Sequence, residues 1–109
     1  MMRSMTTTES TEKNKVTLYL EMLRKYQENI KKQFKVNYLG IFGSHVRNEQ
    51  KELSDLDILV DFFEIPSLFQ FTRLENYLSD ILKIKVDLVM KETLKPNLGK
   101  RILKEVIQV

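Results

Sequence analysis

Three short apolar runs most constrain the fold of this chain: Val36–Phe42 (VNYLGIF), Asp55–Phe63 (DLDILVDFF) and Lys85–Met90 (KVDLVM). Each is short for a helix and rich in β-branched or aromatic residues that suit a pleated, half-buried surface, so each is expected to form a strand. The segments around them follow a different period. From about Glu12 onward Val16, Tyr19, Leu20, Leu23, Tyr26, Ile30 and Phe34 recur at three- and four-residue steps. Leu68, Phe71, Leu74, Leu78, Ile81 and Leu82 do the same, as do Leu98, Ile102, Leu103 and Val106 near the end. Such spacing lays an apolar stripe along one side of an α-helix. Ser67 with Gln70 three residues later is a capping-box pattern, and Pro96 suits the first turn of the last helix. A short helix is also expected after Gly43-Ser44. This alternation predicts an α/β domain, a small mixed β-sheet with helices packed against it. Tyr38, Phe42, Phe69, Phe71 and Tyr77 fall on apolar faces and are expected in the core.

With 109 residues the chain supports one core. The hydroxyl-rich start, residues 1–11, lacks periodicity and is expected to be a flexible tail, leaving 12–109 as the domain. The absence of cysteine and the presence of a single histidine, His45, exclude thiolate and multi-imidazole metal centres, so any metal must sit on oxygen. No apolar run reaches membrane-spanning length, and a cytoplasmic location without membrane contact is expected. The net charge of +3 is too small an excess for a nucleic-acid footprint, which makes nucleic acid a secondary partner class.

The chemistry concentrates where the strands carry acids. Asp55 and Asp57 are two apart on one strand and so project from the same face. Adjacent carboxylates oppose each other's ionisation unless a cation neutralises them, and Mg2+ or Mn2+ suits such an oxygen-only set. Asp87, between Val86 and Leu88 in the third apolar run, is another acid in a strand. If that strand lies beside the second, the three aspartates can converge. Gly43-Ser44 directly after a strand suits a phosphate cradle, because glycine lets the backbone approach closely while a hydroxyl and amides donate to anionic oxygens. Arg47, three residues on, adds positive charge.

Gly43-Ser44, ten intervening residues and Asp55-Leu56-Asp57, in the string GSHVRNEQKELSDLDILV, resemble the signature of the DNA polymerase β nucleotidyltransferase superfamily. The short length, KVDLV with Asp87 and the ending LKPNLGKRILKEVIQV resemble its minimal nucleotidyltransferase branch, whose members are often encoded beside a HEPN-type toxin as antitoxins. The resemblance runs from about Tyr38 to the end. It implies a polymerase β-like fold, with Asp55, Asp57 and Asp87 as catalytic and metal-binding residues and Gly43, Ser44 and Arg47 holding the triphosphate of ATP or a related nucleotide. It also implies transfer of AMP or another nucleotide to a hydroxyl, with a tyrosine of a HEPN-type partner as the inferred acceptor. Asn48 departs from the pattern, since many relatives have glycine after the arginine, and is expected to alter the turn.

Other readings compete with these. His45 is expected to be solvated or helix-capping, and Asp61 an acid at the far end of its strand. A binding module that neutralises its partner by occlusion, without turnover, is the principal alternative function. A basic RNA-binding module ranks behind it.

Overall fold

The computed structural model describes residues 15–51 and 54–109. The elements are α1 (Lys15–Phe34), β1 (Val36–Phe42), β2 (Leu56–Phe62), α2 (Leu68–Leu82), β3 (Val86–Met90), a 3-10 turn (Lys91–Thr93), α3 (Pro96–Glu105) and β4 (Ile107–Gln108). The sheet runs in the order β3-β2-β1-β4. β1 is antiparallel to both β2 and β4, whereas β2 and β3 are parallel, so the sheet is mixed as the alternation predicts. A parallel pair needs a crossover, and α2 supplies it.

Strand alternation divides the apolar residues between two faces. On one face α1 and α2 bury Leu20, Leu23, Ile30, Leu74 and Leu78 against Leu39, Ile41, Ile58, Val60 and Leu88. On the other, Phe42, Leu59 and Ile102 form a smaller core with Tyr38, Val89, Leu94 and Val106, and α3 is the helix that covers it. Asp57 alternates with Ile58 and so belongs to this second, thinly covered face. An acid is tolerated there because the face is incomplete.

The outer edge of β3 is closed by α2. The Ser79 hydroxyl accepts from the Val86 amide at 3.0 Å, and the Glu75 carboxylate accepts from the Leu88 amide at 2.9 Å. Backbone donors that would otherwise be left unpaired on an edge strand are thereby satisfied. The opposite edge carries the two-residue β4, paired through Gly40 and Ile41.

Several expectations need correction. The helix expected after Gly43-Ser44 is a single turn over Ser44–Asn48. Val106, placed by its spacing on the last helix, instead ends it, and the chain continues into β4, too short to register as an apolar run. Ser67 does cap α2, accepting from the Gln70 amide at 3.1 Å, but Leu68 and Phe69 in its first turn are 81% and 71% exposed. Phe69 lies on the opposite side of α2 from Leu74 and Leu78, and the Arg73 guanidinium stands 5.9 Å from its ring instead of a core neighbour. The expected tail, residues 1–11, and the expected start of α1 at Glu12 lie outside the described residues.

Candidate active site

Asp57 and Asp87 are partners in the parallel register of β2 and β3, which sets them side by side on one face, on strands about 4.8 Å apart. Burial pushes the Asp57 carboxyl above its ordinary range, and the Asp87 and Asp55 charges add to the shift, while His45 and Arg47 oppose it. This is the electrostatic condition that a cation relieves. Asp55 stands one residue before β2 and acts on Asp57 through its charge. Among the described residues no three acidic or histidine side chains are gathered into a ready-made metal cage. Two of the three aspartates therefore meet as a pair, with the third at the strand's entrance.

Phe42 pairs with Asp57, so the turn that follows β1 begins against this carboxylate. Gly43 takes φ +89, and a β-carbon built on it would run into Asp57 Oδ2. Both constraints call for glycine at this position. The turn closes as a Schellman motif: the Glu49 amide donates to Ser44 O at 2.8 Å and the Asn48 amide to His45 O at 3.4 Å. Asn48 holds the left-handed position, φ 59. Asparagine is the residue after glycine that best tolerates this conformation.

Three donors of the turn are already engaged. The Gly43 amide donates to Glu105 Oε2 at 2.7 Å, and Arg47 Nη1 lies 2.9 Å from both Glu105 oxygens. Arg47 Nε reaches Glu49 at 3.0 Å, and the two carboxylates raise the guanidinium pKa further. Arg47 and Glu105 join the turn to the last residue of α3.

Between α3 and the sheet lies an open cavity of about 320 Å3. Phe42, Gly43, Arg47, Asp57, Asp87 and Val89 line it from the sheet and its turn, and Leu94, Leu98, Arg101, Ile102 and Glu105 from α3 and the segment leading into it. Ser44 and Asp55 stand outside this lining. The α3 contribution escaped the sequence reading, because Leu98 and Ile102 count simply as an apolar stripe. The available signal was Arg101 and Glu105, one helical turn apart beside Ile102, which put opposite charges on the edge of that stripe.

His45 is a core residue, 8% exposed, and not the solvated side chain expected. Its Nε2 stands 3.3 Å from Ser54 O, and its ring meets Tyr19 edge-on at 6.2 Å between centroids. It ties the turn to the segment leading into Asp55.

Hard carboxylate oxygens beside an open cavity, with backbone and guanidinium donors alongside, suit a divalent cation together with the phosphates of a nucleotide. Known proteins point the same way. Residues 24–109 match the family described as polymerase beta, nucleotidyltransferase. A protein adenylyltransferase, MntA, from Thermococcus cleftensis is 50% identical over 88 residues, covering 81% of this chain and 89% of that one. A solved structure described as a minimal nucleotidyltransferase aligns at a TM-score of 0.67 and 35% identity over 83% of this chain and 95% of that one. A complex of tri-AMPylated HEPN toxin from Shewanella oneidensis with its MNT antitoxin shares the fold, at a TM-score of 0.54 and 23% identity over 91% of this chain and 69% of the matched one. The register pair of aspartates, the glycine turn against it and the family match over most of the chain lead to one assignment: this chain belongs to the polymerase β nucleotidyltransferase family, as a nucleotidyltransferase of the minimal type.

Proposed function

We propose that this enzyme transfers AMP from ATP to a hydroxyl of a protein acceptor, a tyrosine on a HEPN-type toxin, and thereby acts as an antitoxin. The observation that carries this reading is the Asp57–Asp87 register pair opening onto the same cavity as the Gly43 turn. The adenylyltransferase name of a half-identical relative supports the choice of AMP, and the AMPylated toxin in the solved complex supports the acceptor class.

In this reading Gly43, Ser44 and Arg47 hold the triphosphate, the backbone amide and hydroxyl by hydrogen bonding and the guanidinium by charge. Asp57 and Asp87 would hold Mg2+ or Mn2+, with Asp55 completing the set from the strand entrance. Such an ion, when bound, neutralises the departing pyrophosphate and lowers the pKa of the attacking hydroxyl. The acceptor oxygen bonds to the α-phosphorus as the bond to the pyrophosphate oxygen breaks. The hydroxyl proton would pass to a carboxylate, in this reading the exposed Asp87 of the edge strand, or to solvent. The partner supplies the acceptor and its orientation together. No helix among the described residues is long and apolar enough to cross a membrane.

The test is mass spectrometry of the HEPN-type partner after incubation with the protein, ATP and Mg2+, alongside Asp57→Ala and a metal-free control. An AMP adduct that requires both Asp57 and metal is the expected result. A stable complex that binds ATP and never modifies the partner would transfer the assignment to neutralisation by occlusion.

A further inference from the structure

The groups assigned to the triphosphate already hold an anion, and it belongs to the chain itself. Glu105 presents both carboxylate oxygens to Arg47 Nη1 at 2.9 Å, and one of them takes the Gly43 amide at 2.7 Å. A backbone amide and a guanidinium converging on two oxygens are the donor pattern that recognises phosphate. The Glu105 side chain is only 22% exposed and lies in the lining of the cavity. Its placement does little for α3, because a negative charge in the last turn of a helix opposes the helix dipole. Among the described residues Arg101, one turn earlier in the same lining, has no salt bridge and adds a cation to the seat that Glu105 does not use.

We propose that Glu105 is an internal occupant of the phosphate seat and that a nucleoside triphosphate binds by displacing its carboxylate from Gly43 and Arg47. This inference rests on the reading above, in which Gly43 and Arg47 hold the triphosphate. A polyphosphate carries more charge than one carboxylate and can engage Arg101 as well, so it outcompetes Glu105. A monoanion has to compete with a tethered carboxylate at high effective concentration. Glu105 thereby sets a threshold of charge for entry and acts as a specificity-determining residue for polyphosphates. Displacement requires rotation of the Glu105 side chain and leaves β4 paired with β1, since the backbone bond from the Val106 amide to Ile102 O holds the end of α3 independently. If the seat is free in about a tenth of the molecules, the apparent Kd for a phosphate ligand is raised roughly tenfold.

The experiment titrates inorganic tripolyphosphate, without metal, into the wild type, Glu105→Gln and Glu105→Asp by calorimetry, with ATP and Mg2+ on the wild type in a parallel arm. Glu105→Gln removes the charge, and Glu105→Asp keeps it on a side chain too short to reach the Gly43 amide, so a pure net-charge effect separates from occupancy. Both variants are expected to bind tripolyphosphate roughly tenfold more tightly than the wild type. In protein labelled with 15N-glycine, which has three glycines, the Gly43 amide signal should move in each variant while those of Gly40 and Gly99 stay. Wild type that binds ATP, with folded variants that bind tripolyphosphate no tighter than it, overturns the displacement inference and leaves the nucleotide site intact. Failure of the wild type to bind ATP with Mg2+ overturns both.

Discussion

The Asp57 carboxylate fills the space that a β-carbon on Gly43 would occupy. The Gly43 turn and the acid pair are therefore built against each other, and neither can change shape alone. Gly43→Ala is expected to cost about 1–3 kcal/mol, from a side chain forced into positive φ, and to push the Asp57 carboxylate from its place beside Asp87. The protein should stay folded with a lowered Tm and lose most of its ATP affinity. Thermal denaturation with ATP titration checks this. A folded variant with wild-type affinity would show that the turn is not the cradle.

Arg101 projects from α3 into the cavity, where its guanidinium makes no salt bridge among the described residues. A charge-assisted hydrogen bond contributes about 1.5–3 kcal/mol, and solvent exposure brings this site to the low end. Arg101→Ala is expected to weaken ATP binding about tenfold without lowering Tm, and Arg101→Lys to fall between the two. Unchanged ATP affinity in Arg101→Ala would remove α3 from the nucleotide site.

Much of this architecture is legible in the chain. The three apolar runs become β1, β2 and β3 to within a residue or so, since short β-branched segments have few other ways to be buried. The spacing of Gly43 and Asp57 marks the site because it reflects one hairpin, in which Phe42 pairs with Asp57. Contacts made across long separations were not legible. Nothing local in Glu105 announces its bond to the Gly43 amide 62 residues earlier, and nothing in Ser79 or Glu75 marks them as partners of the β3 backbone. His45 misled for a related reason. A lone histidine beside a glycine turn suggests solvent, but Tyr19 from α1 covers its ring.

Glu75 and Ser79 test how the edge strand is held. Each accepts a backbone amide of β3 that faces away from β2, and the contacts are partly buried. A buried donor left without its partner costs about 1–3 kcal/mol. Glu75→Ala is expected to lower stability by about that amount, measured by urea unfolding, while Glu75→Gln keeps an acceptor oxygen and should lose less. Because Asp87 sits between the two capped amides, Glu75→Ala should also raise the Mg2+ concentration required for transfer. Equal stability of Glu75→Ala and the wild type would show that solvent serves the Leu88 amide equally well.

Asp57 carries the last prediction, which sets stability against function. Burial, followed by the Asp87 and Asp55 charges, raises its folded-state pKa. The folded protein therefore holds a proton at Asp57 more tightly than the unfolded chain does. The corresponding stabilisation is complete below the ordinary carboxylate range and is lost as pH rises through the elevated folded value. At neutral pH the ionised side chain is a net cost to the metal-free fold, of the kind that active sites commonly retain for activity. Asp57→Asn removes the charge and keeps the shape. It is expected to raise Tm by a few degrees at pH 7 in the absence of metal, with the advantage shrinking as pH falls through the carboxylate range, and to abolish AMP transfer. Adding Mg2+ should stabilise the wild type, because a bound cation favours the ionised pair, and should leave Asp57→Asn nearly unmoved. Differential scanning calorimetry across pH, with and without Mg2+, gives all of these values. If Asp57→Asn melts lower than the wild type at neutral pH without metal, the carboxylate is stabilising the fold and the electrostatic account of the acid pair is wrong.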